Sequence, residues 1–204
     1  MPKDKTDSHL RIIEAARKEF LEYGYNDASL RRIAVNANIQ VSGLYKHFPN
    51  KEEMFESLVE PAITGFYALY HEIEGEYFGS MDNIKGEYGW EGENEAVRMM
   101  KFVYAHLEEF KLLVQCSGGT KYEGFVHEVA RLEEEVTLRY MKELKARGCN
   151  INDVDPLELH LLTTSYVDAI FQPVVHGLSR KKAMHYAETL QNFFKPAWKE
   201  LFGI

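Results

Sequence analysis

Apolar residues along this chain recur three and four positions apart, and no segment of useful length alternates as a strand would. In residues 8–23, Ile13, Ala16, Phe20 and Tyr23 share one helical stripe, with Asp7 or Ser8 placed to cap its start and Gly24 to stop it. Ser29 opens a short second helix, LRRIAVNA, whose inward positions are Leu30, Ile33, Ala34 and Ala37. Asn38 stands where the chain must turn, and Asn tolerates the left-handed conformation such turns need. A third short helix is predicted over about 41–47. Asn50 then caps a long helix from Lys51 that carries Pro61, where a bend or restart is expected.

Residues 79–93, rich in Gly and charge, read as a loop. Helical patterns return near 94–110, 110–117, 122–147, 155–177 and 180–202, broken by Gly118-Gly119, Gly148 and Gly177. The chain is therefore expected to be all-α, with about nine helices. The two late helices are apolar on more than one face, and such a helix is buried on more than one side. One stripe of 155–177 holds Leu159, Leu162, Tyr166 and Ile170; the other holds Thr163, Val167, Phe171 and Val174. With Phe194 and Trp198 of the last helix, the second stripe is expected to face a twin subunit across a two-fold axis.

Composition narrows the picture. Of 204 residues 45% are hydrophobic and 13% aromatic, which supports a sizeable core. No apolar run approaches the roughly 20 residues of a membrane span, and the first residues lack a signal peptide's apolar segment, so a cytoplasmic protein with no membrane partner is expected. Cys116 and Cys149 are too few for a disulfide framework. The His residues show no convincing ligand spacing, and there is no phosphate loop or nucleophile elbow, so neither a metal, another cofactor nor an enzyme is expected.

Charge changes the reading more. The net charge is −8, yet residues 1–51 hold nine bases against six acids, a balance of +3 that leaves −11 for the other 153. A basic segment on an acidic body is the footprint of a contact module. Within it, Leu44 and Phe48 anchor the third helix, while Ser42, Gly43, Tyr45, Lys46 and His47 project outward. Gly43 costs about 1 kcal/mol relative to Ala inside a helix and so asks for a reason; close approach to a DNA edge is one, a tolerated weak position another. The Tyr45 hydroxyl and the charges of Lys46 and Lys51 suit phosphate contacts.

The stretch SLRRIAVNANIQVSGLYKHFPNKEEMF resembles the DNA-binding segment of the tetracycline-repressor (TetR/AcrR) family of bacterial regulators. Ser29, Ile33, Ala34, Ile39, Leu44, Tyr45, His47, Phe48 and Lys51 fall on its pattern in register. Asn38 replaces the usual turn Gly, Gln40 the usual Ser cap, and Met54-Phe55 the common Leu. The resemblance covers about residues 8–58. It implies a helix–turn–helix domain over 1–51 and an effector-binding and dimerisation domain over 52–204. It further implies phosphate contacts from Ser29, Tyr45 and Lys51, with His47, and base readout from Val41, Ser42 and Gly43 with Lys46 at the margin. Val41 is equally well placed to be core.

The function expected is a homodimeric regulator, most simply a repressor, on a pseudo-palindromic double-stranded operator, released by a small apolar or amphipathic effector. The alternative is a DNA-binding regulator controlled by a protein partner. For the effector pocket the candidates are Tyr70, Tyr104, Gln115, Tyr122, Phe125 and Tyr166, aromatic or polar residues at buried helical positions.

Overall fold

The computed structural model describes residues 5–81 and 95–203. They form nine helices: α1 (Lys5–Asp27), α2 (Leu30–Asn36), α3 (Val41–Leu44), α4 (Lys51–Ser80), α5 (Glu95–Ala105), α6 (Leu107–Gln115), α7 (Phe125–Ala146), α8 (Pro156–Val175) and α9 (Arg180–Phe202). There is no strand among the described residues. Most of the predicted loop at 79–93 lies outside them.

The helix boundaries follow from local chemistry. α1 is interrupted at Gly24, whose φ of 72° suits only a residue without a Cβ. α2 ends in a Schellman turn: Asn38 adopts φ 53°, its N–H reaches Val35 O, and the Ile39 N–H reaches Ala34 O. Asn50 caps α4 by accepting from the Glu53 N–H at 2.8 Å, and its side-chain amide donates to the Glu53 carboxylate. α4 runs through Pro61 without ending. Asp155 accepts from the N–H groups of Leu157 and Glu158, with Pro156 in the first turn of α8.

Two compact units result. One contains Met1–Thr64 and His106–Glu123, and the other Gly65–Ala105 and Gly124–Ile204, so α4 contributes to both. In the first unit the core is Ile12, Ala16, Phe20, Ile33, Leu44 and Phe55, with Phe110 and Leu113 of α6. The buried stripe of α1 passes through Ile12 rather than Ile13, and Tyr23 is exposed. Phe55 stands edge-on to both Phe20 and Tyr25, at ring distances of 5.2 and 5.5 Å. Gly119 (φ 83°) packs so closely on Asn26 that a Cβ there would lie 2.4 Å from its side chain.

The second unit packs α5, α7, α8, α9 and the rest of α4 around aromatic rings. Phe66, Phe125 and Phe171 meet edge-on or tilted, and Tyr166, Phe194, Trp198 and Phe202 form a second series. Gly65 is required by close packing, since a Cβ would come within 2.7 Å of the Phe102 ring. Thr163, Val167, Phe171 and Val174 are each 1% exposed or less. They belong to the subunit's own interior, which corrects their assignment to a twin interface. Phe194 and Trp198 likewise line an internal cavity. The apolar side chains that reach the surface of α8 and α9 are Leu157, Leu161, Leu162, Val175 and Phe193. Both stripes of α8 are apolar, and periodicity cannot say which one the subunit keeps.

Candidate nucleic-acid interface and internal cavity

The third helix is set in place from α1 and α2. Glu19, 2% exposed, accepts from the Ser29 N–H at 2.7 Å and from Arg32 Nε at 2.7 Å. A carboxylate is thus fixed at the start of α2, where free N–H groups favour negative charge. Arg11 of α1 donates to the carbonyl of Ala37 at 2.9 Å and so closes the other end of the same helix. The turn at Asn38 then delivers α3, which Leu44 (0% exposed) and Phe48 (5%) anchor. His9 stacks on Phe48 and lies 5.6 Å from the His47 ring, so His47 is held against α1.

The outward face of α3 carries Ser42, Tyr45 and Lys46, all exposed, with Val41 and Gly43 part-exposed beside them. A Cβ built on Gly43 meets nothing within 4 Å. Nothing in the chain's own packing therefore requires glycine there, and its conformation is ordinary helix. Gln40 gives α3 no side-chain cap, and Ser29 gives none to α2, so the Ser29 hydroxyl is not used in capping.

Lys51 is placed differently from the expectation. Its ammonium donates to the carbonyls of Tyr25 (2.7 Å), Asn26 (3.1 Å) and Ala28 (3.3 Å) and sits 4.5 Å from the centre of the Tyr25 ring. All three donors are used where α1 ends, so a phosphate would have to displace one of them. The basic charge that remains outward on this face is that of Lys46.

The second unit encloses a cavity of about 160 Å3. Its walls are largely aromatic, and they include Tyr70 and Tyr166 from the expected pocket set. The other four lie elsewhere. Tyr104 donates to the carbonyls of Pro173 and Leu178, and Phe125 packs in the phenylalanine cluster. Gln115 is exposed in the first unit, and Tyr122 in that unit donates to Glu60.

Sequence reasoning missed the cavity's carboxylates. Glu133 accepts from the Tyr70 hydroxyl at 2.6 Å. Burial pushes its carboxyl above the ordinary range, against that hydrogen bond. Burial, and then the Glu133 charge, push Glu95 up to about 8. Burial also raises the Tyr70 and Tyr166 hydroxyls. The signal for Glu133 was present in the sequence: it follows Val129 by four positions and precedes Tyr140 by seven, on the inward stripe of α7. Glu19 interrupts the apolar stripe of α1 in the same way.

Among the described residues no group of three or more His, Cys, Asp or Glu side chains is placed to hold a metal ion. No described helix is long and apolar enough to cross a membrane.

An outward-facing short helix held by two others is the arrangement of a helix–turn–helix module. Comparison with known proteins agrees. Residues 12–58 match the family described as bacterial regulatory proteins, tetR family. An HTH-type transcriptional regulator of Staphylococcus aureus (strain bovine RF122 / ET3-1) is 29% identical over 85 residues, 42% of this chain and 46% of that protein. The chain thus spans about half the length of the curated relatives it matches.

Solved structures extend the likeness to the fold of nearly the whole chain. A transcriptional regulator of Aquifex aeolicus VF5 superposes with a TM-score of 0.57 at 17% identity, covering 93% of this chain and 99% of that one. NalD, the secondary repressor of the MexAB-OprM multidrug efflux pump in Pseudomonas aeruginosa, gives 0.55 at 16%, covering 92% and 95%. Residues 12–58 thus resemble the tetR family's matched segment, and nearly the whole chain shares the fold of these solved structures.

Proposed function

We propose that the chain is a ligand-responsive, homodimeric repressor that reads a pseudo-palindromic operator through residues 41–47. The observation that carries this reading is the bare face of α3 around Gly43, where the chain has no packing use for the missing side chain. Backbone this close to the surface lets a helix approach base edges, with Ser42 and Val41 reading bases and Tyr45, Lys46 and Ser29 reaching phosphates. His47 and Lys51 then hold the module together rather than lead the contact. DNA binding is assigned to residues 1–51, and effector binding and dimerisation to 52–204.

The exposed apolar residues of α8 and α9, Leu157, Leu161 and Phe193 foremost, are the surface assigned to a second copy. Two copies would place two α3 helices in successive major grooves. The cavity supports control by a small molecule over control by a protein partner. NalD's efflux-pump role is compatible with that reading, but at 16% identity it brings no ligand with it.

The test is a mobility shift on the DNA upstream of the chain's own gene, repeated over a range of salt. A sequence-specific shift whose affinity falls steeply with added salt is expected, since each neutralised phosphate releases counterions. Absence of any specific shift on that DNA, and on a random-sequence selection, would remove the reading.

A further inference from the structure

The lining of the cavity has more carboxyl groups than cations, and polar atoms without a partner, which packing alone does not call for. Among the described residues three carboxyl groups (Glu74, Glu95 and Glu133) line it against one ammonium, Lys195. Glu74 is taken by Arg139 and by His71. That leaves two carboxylates to one cation inside a mostly aromatic wall. Such a site costs solvation free energy unless a cation completes it. The Tyr70 hydroxyl satisfies one oxygen of Glu133 and brings no charge. Glu95 sits in the first turn of α5, where the helix dipole favours an anion, yet burial dominates and the group holds its proton, which a bound cation would displace to solvent.

Two further polar atoms point the same way. The Thr163 hydroxyl, on a residue 1% exposed, and the Gln191 side-chain oxygen are buried at the cavity with no hydrogen-bond partner. Buried polar atoms are almost always paired, so an unpaired acceptor and a hydroxyl at one cavity mark groups that meet a ligand. Aromatic faces, here Tyr166 and Trp198, attract a cation further.

We propose that the cavity is built for a small organic monocation: an alkyl- or arylammonium whose head is held by Glu133 and Glu95, with Thr163 and Gln191 accepting its remaining N–H bonds, and whose apolar body lies among the rings. The inference rests on the reading of this cavity as the effector site, and a carboxylate head group could not take the ammonium's place between Glu133 and Glu95.

Three probes that differ only in the head group test it: phenylbutylamine, phenylbutanol and phenylbutanoate. Their binding is followed by calorimetry and by the fluorescence of Trp198. The amine is expected to bind roughly tenfold to a hundredfold more tightly than the alcohol, the scale of a charge-assisted hydrogen bond, and the carboxylate most weakly. Glu133→Gln and Glu95→Gln are each expected to reduce that preference, and the double variant to abolish it, with alcohol affinity retained as the check on folding. Alcohol or carboxylate binding as tight as the amine would overturn the cation inference and leave the effector site standing. If none of the three binds, both fall. A preference that survives in a double variant still binding the alcohol also overturns it. The wild-type series decides even if that variant fails to fold.

Discussion

In the unit of Met1–Thr64 and His106–Glu123, buried polar groups are answered from within the chain. Glu19 meets the Ser29 N–H and Arg32, Lys51 meets three carbonyls, and Ser117 donates to Leu113 O at 2.6 Å. In the unit of Gly65–Ala105 and Gly124–Ile204, Thr163 and Gln191 end in a cavity with atoms unanswered, and burial, then the Glu133 charge, keeps a proton on Glu95. What is incomplete in the first unit is its outer surface at α3; what is incomplete in the second is its interior. Unmatched groups on a well-ordered frame are where a partner is expected. In the proposed reading the first is the surface offered to a large polyanion and the second the cavity offered to a small molecule.

The largest effect is expected where the first unit's internal pairing is broken. Glu19→Ala leaves the Ser29 N–H without its acceptor and should cost about 2–3 kcal/mol of stability, measured by urea unfolding. A change within about 0.5 kcal/mol would mean that this carboxylate does not set α2. Lys51→Met should cost about 1–2 kcal/mol in the same measurement, through the three lost carbonyl bonds. No loss of stability, with DNA affinity reduced alone, would restore Lys51 to the phosphate contacts.

Titration sharpens the other side of the contrast. Folded Glu95 holds its proton up to about pH 8, whereas the unfolded chain releases it near the ordinary 4.5, so folding takes up a proton between those values. Stability should fall as pH rises through that window. Glu133, Lys195, Arg98 and Glu76 are the charges that act on this carboxyl. Glu95→Gln removes the titration, so its melting temperature should decline less from pH 5 to pH 8 than the wild type's. Identical profiles would show that Glu95 is solvated. The smallest effect has the opposite sign: Thr163→Val replaces an unanswered hydroxyl with a methyl and should leave stability unchanged or raise it by up to about 1 kcal/mol. A clear loss would reveal a partner for that hydroxyl.

The order of helices, the Gly24 stop, the Asn38 turn and the Asn50 cap were legible in the sequence, because each depends on residues within one turn of one another. The α3 face was legible too, since Leu44 and Phe48 fix which side is out. Lys51 was not: its partners lie 23–26 positions earlier, and nothing local distinguishes a lysine that contacts DNA from one that caps a distant helix. The same limit exchanged the two stripes of α8. Thr163, Val167, Phe171 and Val174 are apolar enough for a twin interface or a core, and only the helices packed against them decide. Of the cavity, two aromatic residues were anticipated and the carboxylates were missed. An acid on an inward stripe reads as noise until the packed helices show that it faces a cavity.

In the proposed reading Gly43 is glycine for the sake of DNA and not for the fold. Gly43→Ala tests it in one variant measured twice. Because a Cβ there meets open space and the residue is helical, stability should hold or rise by up to about 1 kcal/mol, while affinity for the selected operator should fall at least tenfold, about 1.4 kcal/mol. Undiminished operator binding by the stable variant would contradict the claim that this face of α3 is the one DNA meets.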